Sequence, residues 1–528
     1  MGISRRAFVA ACAAASAGLP AQGGAPEPRG RQYHLSVSED ALEADPDLLE
    51  TVRAAGVGDI WLTGYLYGYW HYTPERIAAW RRRAERAGLR AHVCNVPLGH
   101  PGDSLGAMAG GVPLTPPRHW RPGVRPDAST FAGTSLHPPA TEENAAALRL
   151  LAGEGVRRVF LDDDFRLAAG PGQIGGCFCS EHRQRFLRTH GYPAGRWDGL
   201  LADVAARRLS PLLRAWLAFH CDELTDSFRR QAAAAPGIRL GIMVMYLGAE
   251  KAGIRLRDFR AVPFRVGELM FSDGAFAPVK GKTDELFSAL FHRRFAAPES
   301  AFSETTAFPA DRLSAANMAA KLVISTIADV RATMFMSGLS PFPRAHWDTL
   351  GPAMRRQAAL HAPIAGHRPR GPFKHLWGEH SRMVGDDRPF SLFLASGVPF
   401  EVTDAPARGG WTFLSDADAR AAAGGSPRSA GTRFVGRPGT GVAARGGLEM
   451  PEELTALWAL KREAAAAEPD APVVEEEAPA VCAWYPTARR ALVWNLSEER
   501  RALTVRWRGV RRHLVLDALS AEIVREDA

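Results

Sequence analysis

Short apolar runs alternate with longer amphipathic stretches from about residue 31 to about residue 365. Apolar runs of about four to eight residues are typical of buried strands, and apolar positions three or four residues apart are typical of helices. We predict strands at residues 33–37, 59–65, 90–96, 158–161, 239–246, 268–272, 301–304 and 332–336. Eight strands that alternate with helices predict an α/β fold, a (β/α)8 TIM barrel with long loops.

A doubly wound sheet is the other common arrangement of alternating strands and helices. Such sheets usually bind nucleotides through a glycine-rich loop that opens a helix. The sequence contains neither a G-x-G-x-x-G motif at a helix start nor a Walker A motif. We therefore assign residues 29–369 to a barrel domain.

The pattern changes after residue 369. Short strand-like and helix-like segments predict a small α/β domain at residues 370–470, and residues 468–479 are rich in Pro, Ala and Glu, like a linker. Apolar and polar residues alternate in the last fifty residues. This alternation predicts a C-terminal antiparallel β-sandwich domain, assigned to residues 471–528.

The first 28 residues are expected to direct export. Arg5 and Arg6 form a twin-arginine pair, and a short run of small apolar residues follows at positions 10–19. This order is typical of a twin-arginine signal peptide, and the run is too short to cross a bilayer. No later segment reaches the roughly 18 apolar residues of a membrane helix. We therefore predict a periplasmic or secreted protein without a membrane span.

The composition excludes one class of partner. The formal net charge is +8, but the arginines are scattered and form no long stripe with interleaved aromatic residues. Nucleic acid is therefore not an expected partner. Six cysteines, one of them in the signal segment, are too few and too irregular for a disulfide framework.

Three adjacent aspartates, Asp162, Asp163 and Asp164, follow the fourth predicted strand. Active sites of barrels lie at the C-terminal ends of the strands. Three carboxylates directly after a buried run are costly unless they are protonated, paired or metal-bound. The start of a solvated loop is the alternative, but the position after a buried strand favours the active site.

A single acid, Glu304, closes the seventh predicted strand. Strands four and seven face each other across a barrel, so Asp164 and Glu304 could lie about 5 Å apart, the separation used by retaining glycosidases. One of the two would be the general acid/base and the other the nucleophile.

Other polar and aromatic residues at predicted strand ends and loops are candidates for binding a sugar. Aromatic side chains can stack on sugar rings, and acids can accept hydrogen bonds from sugar hydroxyls. The candidates for substrate binding are Glu39, Tyr65, Tyr67, His137, Asp162, Asp163, Tyr246 and Asp273.

A C-x-C-x2-H motif lies in the loop after the fourth strand. Cys177, Cys179 and His182 place two thiols and an imidazole within one turn, which suits tetrahedral zinc if a fourth ligand such as Cys221 is added. Buried free thiols, or a strained bond between Cys177 and Cys179, are the alternatives. A structural zinc is therefore one of three interpretations.

The sequence resembles the clan-A glycoside hydrolases, and among them the family-42 β-galactosidases. Those enzymes carry Asn-Glu-Tyr/Phe after strand four, then a Cys-x-Cys-x2-Cys cluster, a Phe and a Tyr-Gly. The matching positions here are Asp163, Asp164, Phe165, Cys177, Cys179, His182, Phe186, Gly191 and Tyr192. The resemblance implies Asp164 as the acid/base, Glu304 as the nucleophile and an amidotransferase-like middle domain.

The sequence departs from that family at three of these positions. The acid/base would be an aspartate, the preceding Asn is Asp163, and His182 stands in place of a cysteine. Galactosidase specificity therefore does not follow from the resemblance.

Three functions compete at this point. The first is an exported retaining glycoside hydrolase that acts on an oligosaccharide and needs no cofactor for catalysis. The second is a non-catalytic sugar-binding barrel, and the third is a metal-dependent hydrolase that uses Asp162, Asp163 and Asp164. Against the third, the sequence has no H-x-H motif on the first strand. The sequence leaves homo-oligomer formation open.

Overall fold

The computed structural model describes residues 30–98, 116–162, 165–168, 172–267, 269–338, 340–425 and 431–526. The predicted signal segment, residues 1–28, lies outside the described residues. Within them, no helix is both long enough and apolar enough to cross a membrane.

A closed parallel barrel forms the N-terminal part of the fold. Its strands are β1 (Gln32–Ser36), β2 (Asp59–Leu66), β3 (Arg90–Val96), β4 (Arg158–Leu161), β5 (Arg239–Met245), β6 (Phe264–Gly267), β7 (Ala301–Thr306) and β8 (Ala332–Met336). Each strand pairs in parallel with its neighbours in this order, and β1 pairs with both β2 and β8. The predicted (β/α)8 barrel is confirmed.

Helices follow the barrel strands along the chain. They are α1 (Glu39–Ala44), α2 (Leu48–Ala55), α3 (Pro74–Arg86), α4 (Ala140–Gly153), α5 (Ser180–His190), α6 (Arg196–Ala205), α7 (Pro211–Ala234), α8 (Asp273–Phe276), α9 (Val279–His292), α10 (Ala315–Ile327) and α11 (His346–His361). Thr73, Ser210 and Ser314 each cap a helix by accepting a backbone N–H. These caps satisfy donors that have no partner inside the helix.

The sixth strand lies four residues before the predicted position. The prediction placed it at residues 268–272, whereas β6 is Phe264–Gly267. Its second residue, Arg265, is fully buried and breaks the apolar run that marks the other strands. Asp273 therefore begins helix α8 and does not close a strand.

Side chains inside the barrel form layers because alternate residues of each strand point inward. His34, Asp59 and His92 form a buried polar group at the N-terminal end, with His92 Nε2 at 2.8 Å from the Asp59 carboxylate. Trp61 and Phe302 belong to the aromatic layer above it. Polar side chains reappear above this layer, at the mouth.

The middle part of the chain forms a five-stranded parallel sheet with helices. Its elements are β9 (Phe373–Leu376), α12 (Glu379–Val384), β10 (Phe400–Thr403), β11 (Trp411–Leu414), α13 (Asp416–Ala423), β12 (Arg433–Gly436), β13 (Leu448–Glu449) and α14 (Leu454–Ala467). The strands have the order β10-β9-β11-β12-β13. This is the small α/β domain that the sequence predicts.

Two three-stranded antiparallel sheets form the C-terminal part. Their strands are β14 (Val473–Val474), β15 (Ala480–Tyr485), β16 (Arg490–Asn495), β17 (Arg501–Trp507), β18 (Val510–Leu516) and β19 (Ala521–Arg525). The sheets have the orders β14-β17-β18 and β15-β16-β19, as expected for a β domain. The stretch predicted as a linker contains β14, which pairs with β17.

Candidate active site

A buried arginine joins two acids at the C-terminal mouth of the barrel. Arg265 Nη2 donates to Asp162 Oδ1, and Arg265 Nε lies 2.9 Å from Glu304 Oε1 in an ion pair. The Arg265 side chain has no exposed surface, and that of Glu304 is 2% exposed. One guanidinium thus lies within ion-pair distance of two carboxylates.

The strands determine where these three side chains point. Asp162 directly follows β4, Arg265 is the second residue of β6, and Glu304 is the fourth residue of β7. The pleat turns the latter two into the barrel, above the aromatic layer. Gly267 makes room for the acid, because a Cβ atom there would lie 2.7 Å from Glu304 Oε2. A side chain at position 267 would therefore displace the end of Glu304.

Further contacts fix the guanidinium of Arg265. Its Nη1 lies 2.8 Å from the Met334 sulfur, and its carbon lies 5.1 Å from the centre of the Phe160 ring. Burial lowers the pKa of Arg265, but the Asp162 and Glu304 carboxylates outweigh it and raise that pKa above its usual value. Arg265 therefore stays positively charged under all ordinary conditions.

Asp163 and Asp164, the other two acids of the triplet, lie outside the described residues. Within the described part, Arg265 joins Asp162, which follows β4, to Glu304, which lies within β7. The roles assigned to Asp164 and Glu304 in the sequence analysis stay predictions.

Glu39 lies buried just after the first strand. Its Oε2 accepts a hydrogen bond from the Thr63 backbone N–H at 3.3 Å. Burial raises the pKa of Glu39 to about 8, although this hydrogen bond lowers it. Glu39 is therefore protonated at neutral pH, and it has no exposed surface.

Tyr65 belongs to an aromatic group beside the mouth. Its ring centre lies 5.1 Å from that of Trp70, and its hydroxyl lies 3.5 Å from Glu143 Oε2. Trp120 Nε1 donates to the same carboxylate oxygen at 2.6 Å. Tyr67, two residues after Tyr65, is buried with a left-handed backbone conformation (φ 55°).

The two remaining candidates for sugar binding have other surroundings. Tyr246 is buried, and burial raises the pKa of its hydroxyl well above the usual range. Asp273 Oδ1 accepts hydrogen bonds from the Ser314 backbone N–H and from Asn317 Nδ2, each at 2.8 Å. Asp273 thus holds the start of helix α10.

The predicted metal ligands meet in the loops after β3 and β4. Each of His137, Cys177, Cys179 and His182 offers one ligand atom, and these four atoms lie within 4.8 Å of one another. Cys179 caps helix α5, because its sulfur accepts the backbone N–H of His182. Two sulfur and two imidazole ligands fit tetrahedral zinc.

The fourth member of this cluster is His137, which the sequence analysis grouped with the sugar-binding residues. Cys221, the fourth ligand suggested there, instead points its thiol at the Glu250 carbonyl, 3.7 Å away. The sequence could not place His137 there, because the loop that carries it is separated from the cysteines by strand β4.

Hydrogen bonds within the cluster favour a thiolate. The hydrogen bond with the Cys177 thiol is the largest cause that holds the pKa of Cys179 far below its usual range, against the effect of burial. Hydrogen bonds with His137 at 3.3 Å and His182 at 3.2 Å act in the same direction. The hydrogen bond between the two cysteines, followed by burial, raises the pKa of Cys177. A deprotonated sulfur is the form that binds a metal.

The fold is that of known β-galactosidases, although no family model matches the sequence and no curated protein matches it. The structure of the cold-adapted β-galactosidase from Rahnella sp. R3 aligns with a TM-score of 0.61 at 12% identity, over 96% of this chain and 99% of that one. The β-galactosidase from the psychrophilic Marinomonas ef1 aligns with a TM-score of 0.58 at 8% identity, over 94% of this chain and all of the other. The alignments span all parts of the fold, and thus confirm the predicted architecture.

Arg265 is the residue at the mouth that sequence reasoning missed. It lies on the strand that was predicted four residues too late, and an arginine inside an apolar run suggests a loop. The acids at the ends of strands four and seven were the signal that could have indicated a buried cation between them.

Proposed function

We propose that the protein is a retaining glycoside hydrolase in which Glu304 is the nucleophile. Two observations support this proposal: the fold is shared with two β-galactosidases, and acids after β4 and within β7 converge on the mouth. The ion pair with Arg265 carries the proposal furthest, because a positive charge beside a nearly buried carboxylate favours its ionised form. An ionised carboxylate is the form that attacks the anomeric carbon.

The second carboxyl of the mechanism comes from the aspartate triplet. An aspartic acid there protonates the leaving oxygen as Glu304 bonds to the anomeric carbon, and the resulting aspartate then takes a proton from the water that releases the sugar. The resemblance described above points to Asp164 for this role. Asp162 forms an ion pair with Arg265, and we assign to Asp162 the role of positioning that arginine.

The substrate we propose is an oligosaccharide or a glycoside derived from a polysaccharide. The related folds belong to β-galactosidases, so β-galactosides are the first substrates to test. We expect the sugar to lie over Glu304, beside the aromatic group around Tyr65.

A panel of aryl glycosides tests this proposal. We expect turnover of one or more of them with retention of the anomeric configuration, which NMR of the first product shows. Asp164→Asn should lower turnover of natural linkages about 10²–10⁴-fold but spare activated aryl glycosides, and azide should restore the variant. If Asp164→Asn keeps full activity on natural linkages and Asp163→Asn loses it, then Asp163 is the acid/base residue and Asp164 is not.

One observation favours a second candidate function, a non-catalytic sugar-binding barrel. A guanidinium 2.9 Å from Glu304 Oε1 also weakens that carboxylate as a nucleophile, because it stabilises the negative charge. Saturable sugar binding by the wild-type protein without turnover of any glycoside in the panel would establish this candidate.

We further propose that the protein is exported through the twin-arginine pathway. The pair Arg5 and Arg6 ahead of a short apolar run supports the proposal. Replacing both arginines by lysine should keep the protein in the cytoplasm, as fractionation of expressing cells would show. Export of the double-lysine form at the wild-type level would contradict it.

A structural zinc ion is the last part of the proposal. Cys177, Cys179, His137 and His182 provide the tetrahedral ligand set, and they join the loops after β3 and β4. The ion would brace the loop that follows the aspartate triplet, while taking no part in the reaction.

A further inference from the structure

Three arginines surround a groove between the barrel and the C-terminal domain. The groove has a volume of about 290 Å³ and lies between helix α11 and the sheet β15-β16-β19. Arg356 comes from α11, and Arg490 and Arg525 come from the sheet. The remaining lining is aliphatic, from Ala359, Leu360, Pro363 and Ile523.

The two arginines of the sheet face each other. Arg490 and Arg525 are direct partners in the antiparallel pair of β16 and β19. Like charges in such positions destabilise a sheet. Val524, between Ile523 and Arg525, points into the core of the C-terminal domain, so the pleat directs Arg525 to the groove side.

No acid of the described residues forms an ion pair with Arg356, Arg490 or Arg525. Arg356 donates to the Ala521 carbonyl at 3.1 Å, and Arg490 donates to the Arg489 carbonyl at 2.8 Å. Glu526, next to this face, pairs instead with Arg489 at 3.0 Å and Arg508 at 2.8 Å. Among the described residues, three positive charges thus converge on one groove and no acid pairs with them.

We propose that this groove binds an acidic sugar unit, a uronate or a sulfated sugar, of a polysaccharide chain. The planar guanidinium groups match carboxylate and sulfate oxygens, and the aliphatic wall accepts the C–H face of a sugar ring. A volume of about 290 Å³ lies at the lower end of small-ligand pockets, roughly 300 Å³ and above, and suits one or two sugar rings.

The groove lies far from the barrel mouth. In a barrel the helices run antiparallel to the strands, so the C-terminal end of α11 lies at the face opposite the mouth. A short oligosaccharide cannot fill both places. The groove therefore acts as an anchor for a polymer, and the choice of a sugar as ligand rests on the proposed glycosidase function.

Binding to polygalacturonate, measured by affinity electrophoresis at low salt, tests the inference. The protein used is the full chain with Glu304→Gln, so that no polymer is cleaved. We expect retardation by polygalacturonate, none by the same polymer with its carboxylates reduced, and at least about a tenfold loss of affinity in the double variant Arg490→Gln, Arg525→Gln. The matched control Arg500→Gln, Arg501→Gln removes the same charge elsewhere in the domain and should keep the affinity.

Two results would overturn the proposal. The first is equal affinity of the groove variant and the control variant, and the second is equal binding of the charged and the reduced polymer. Inorganic sulfate is a further control. If the groove binds sulfate as tightly as it binds polygalacturonate, it is a site for free anions and not for sugars. Turnover of aryl glycosides is measured separately on the wild-type protein, so failure of the glycosidase proposal is distinguishable.

An independent readout follows from the like-charge pair. Arg525→Gln should leave the melting temperature of the free protein unchanged or raise it, because the variant loses a repulsion. The polymer should then raise the melting temperature of the wild-type protein but not that of this variant. A lower melting temperature of the free Arg525→Gln protein would show that the arginine is structural.

Discussion

Arg265 connects the stability of the barrel to its chemistry at the scale of single residues. It pairs with Asp162 and Glu304 where little water can screen the charges. Burying charges is costly, and removing one partner leaves the others without compensation. The same arginine therefore positions both acids and places a positive charge beside Glu304.

Replacing Arg265 by methionine should destabilise the protein by roughly 3–5 kcal/mol and abolish turnover, because two buried carboxylates lose their cation. Urea denaturation measures the first effect. The exposed Arg260, which precedes the same strand, provides the control Arg260→Met with near wild-type stability. Adding Asp162→Asn to Arg265→Met should restore part of the lost free energy of unfolding, because one uncompensated carboxylate is removed. If the losses of the two single variants simply add, Arg265 does not act by compensating the charge of Asp162.

Glu39 makes stability depend on pH. Its pKa is about 8 in the folded protein and 4.5 when exposed, so its stabilising contribution is complete below pH 4.5 and is lost as pH rises through 8. Glu39→Gln should match the wild type near pH 4.5 and exceed its free energy of unfolding by a few kcal/mol, as an order of magnitude, at pH 9. A difference that does not change between these two pH values would contradict a buried, protonated Glu39.

Among the secondary-structure elements, the sequence predicted the strands that are marked by a run of apolar residues. Seven of the eight barrel strands were expected at or within a few residues of their observed positions, because apolar runs mark buried strands. The sixth was misplaced because its inward residue is Arg265, whose burial depends on acids about 40 and 100 residues away. Such a long-range ion pair leaves no local signal.

The cysteine–histidine cluster shows the same limit. A local motif indicated Cys177, Cys179 and His182, but the fourth member comes from another loop. A hairpin of the strands Pro122–Val124 and Thr130–Thr134 brings the two loops together, and the Phe178 N–H donates to the Val124 carbonyl at 2.8 Å. Sequence spacing could not predict this tertiary contact.

Protein purified without chelator should contain about one zinc ion per chain by elemental analysis. Cys179→Ala should lose the metal and lower the melting temperature, because the two loops are no longer joined. Cys221→Ala, which removes a buried thiol outside the cluster, should retain the zinc. Metal-free wild-type protein with Cys177 and Cys179 freely alkylated in the native state would contradict the site.

One cluster of buried apolar side chains extends across all three domains of the described chain. The Phe287 ring of α9 packs on His375 of the middle sheet with ring centres 4.5 Å apart, and the buried Lys251 pairs with the buried Asp387. Tyr485 of the C-terminal domain donates to the Ile327 carbonyl at 2.9 Å. The sequence showed separate patterns for three domains, but it could not show that they share a core.

A chain truncated after residue 369 should therefore not fold. Its barrel helices would expose the apolar surface that the middle domain covers, and Lys251 would lose its buried partner. We expect aggregation, or the loss of a cooperative thermal transition, while the full chain unfolds in a single transition by calorimetry. A soluble truncated barrel with the melting temperature of the full chain would contradict this account.

Glu304 is proposed as the nucleophile of a retaining glycosidase, and the turnover of Glu304→Gln tests that role. The control Glu299→Gln changes an exposed acid just before the same strand and should keep full turnover. Both proteins are assayed with the best aryl glycoside of the panel, after circular dichroism has shown that they are folded. We expect Glu304→Gln to lose nearly all turnover, because it has no carboxylate at position 304 to form the glycosyl-enzyme intermediate. Wild-type turnover by folded Glu304→Gln would contradict it.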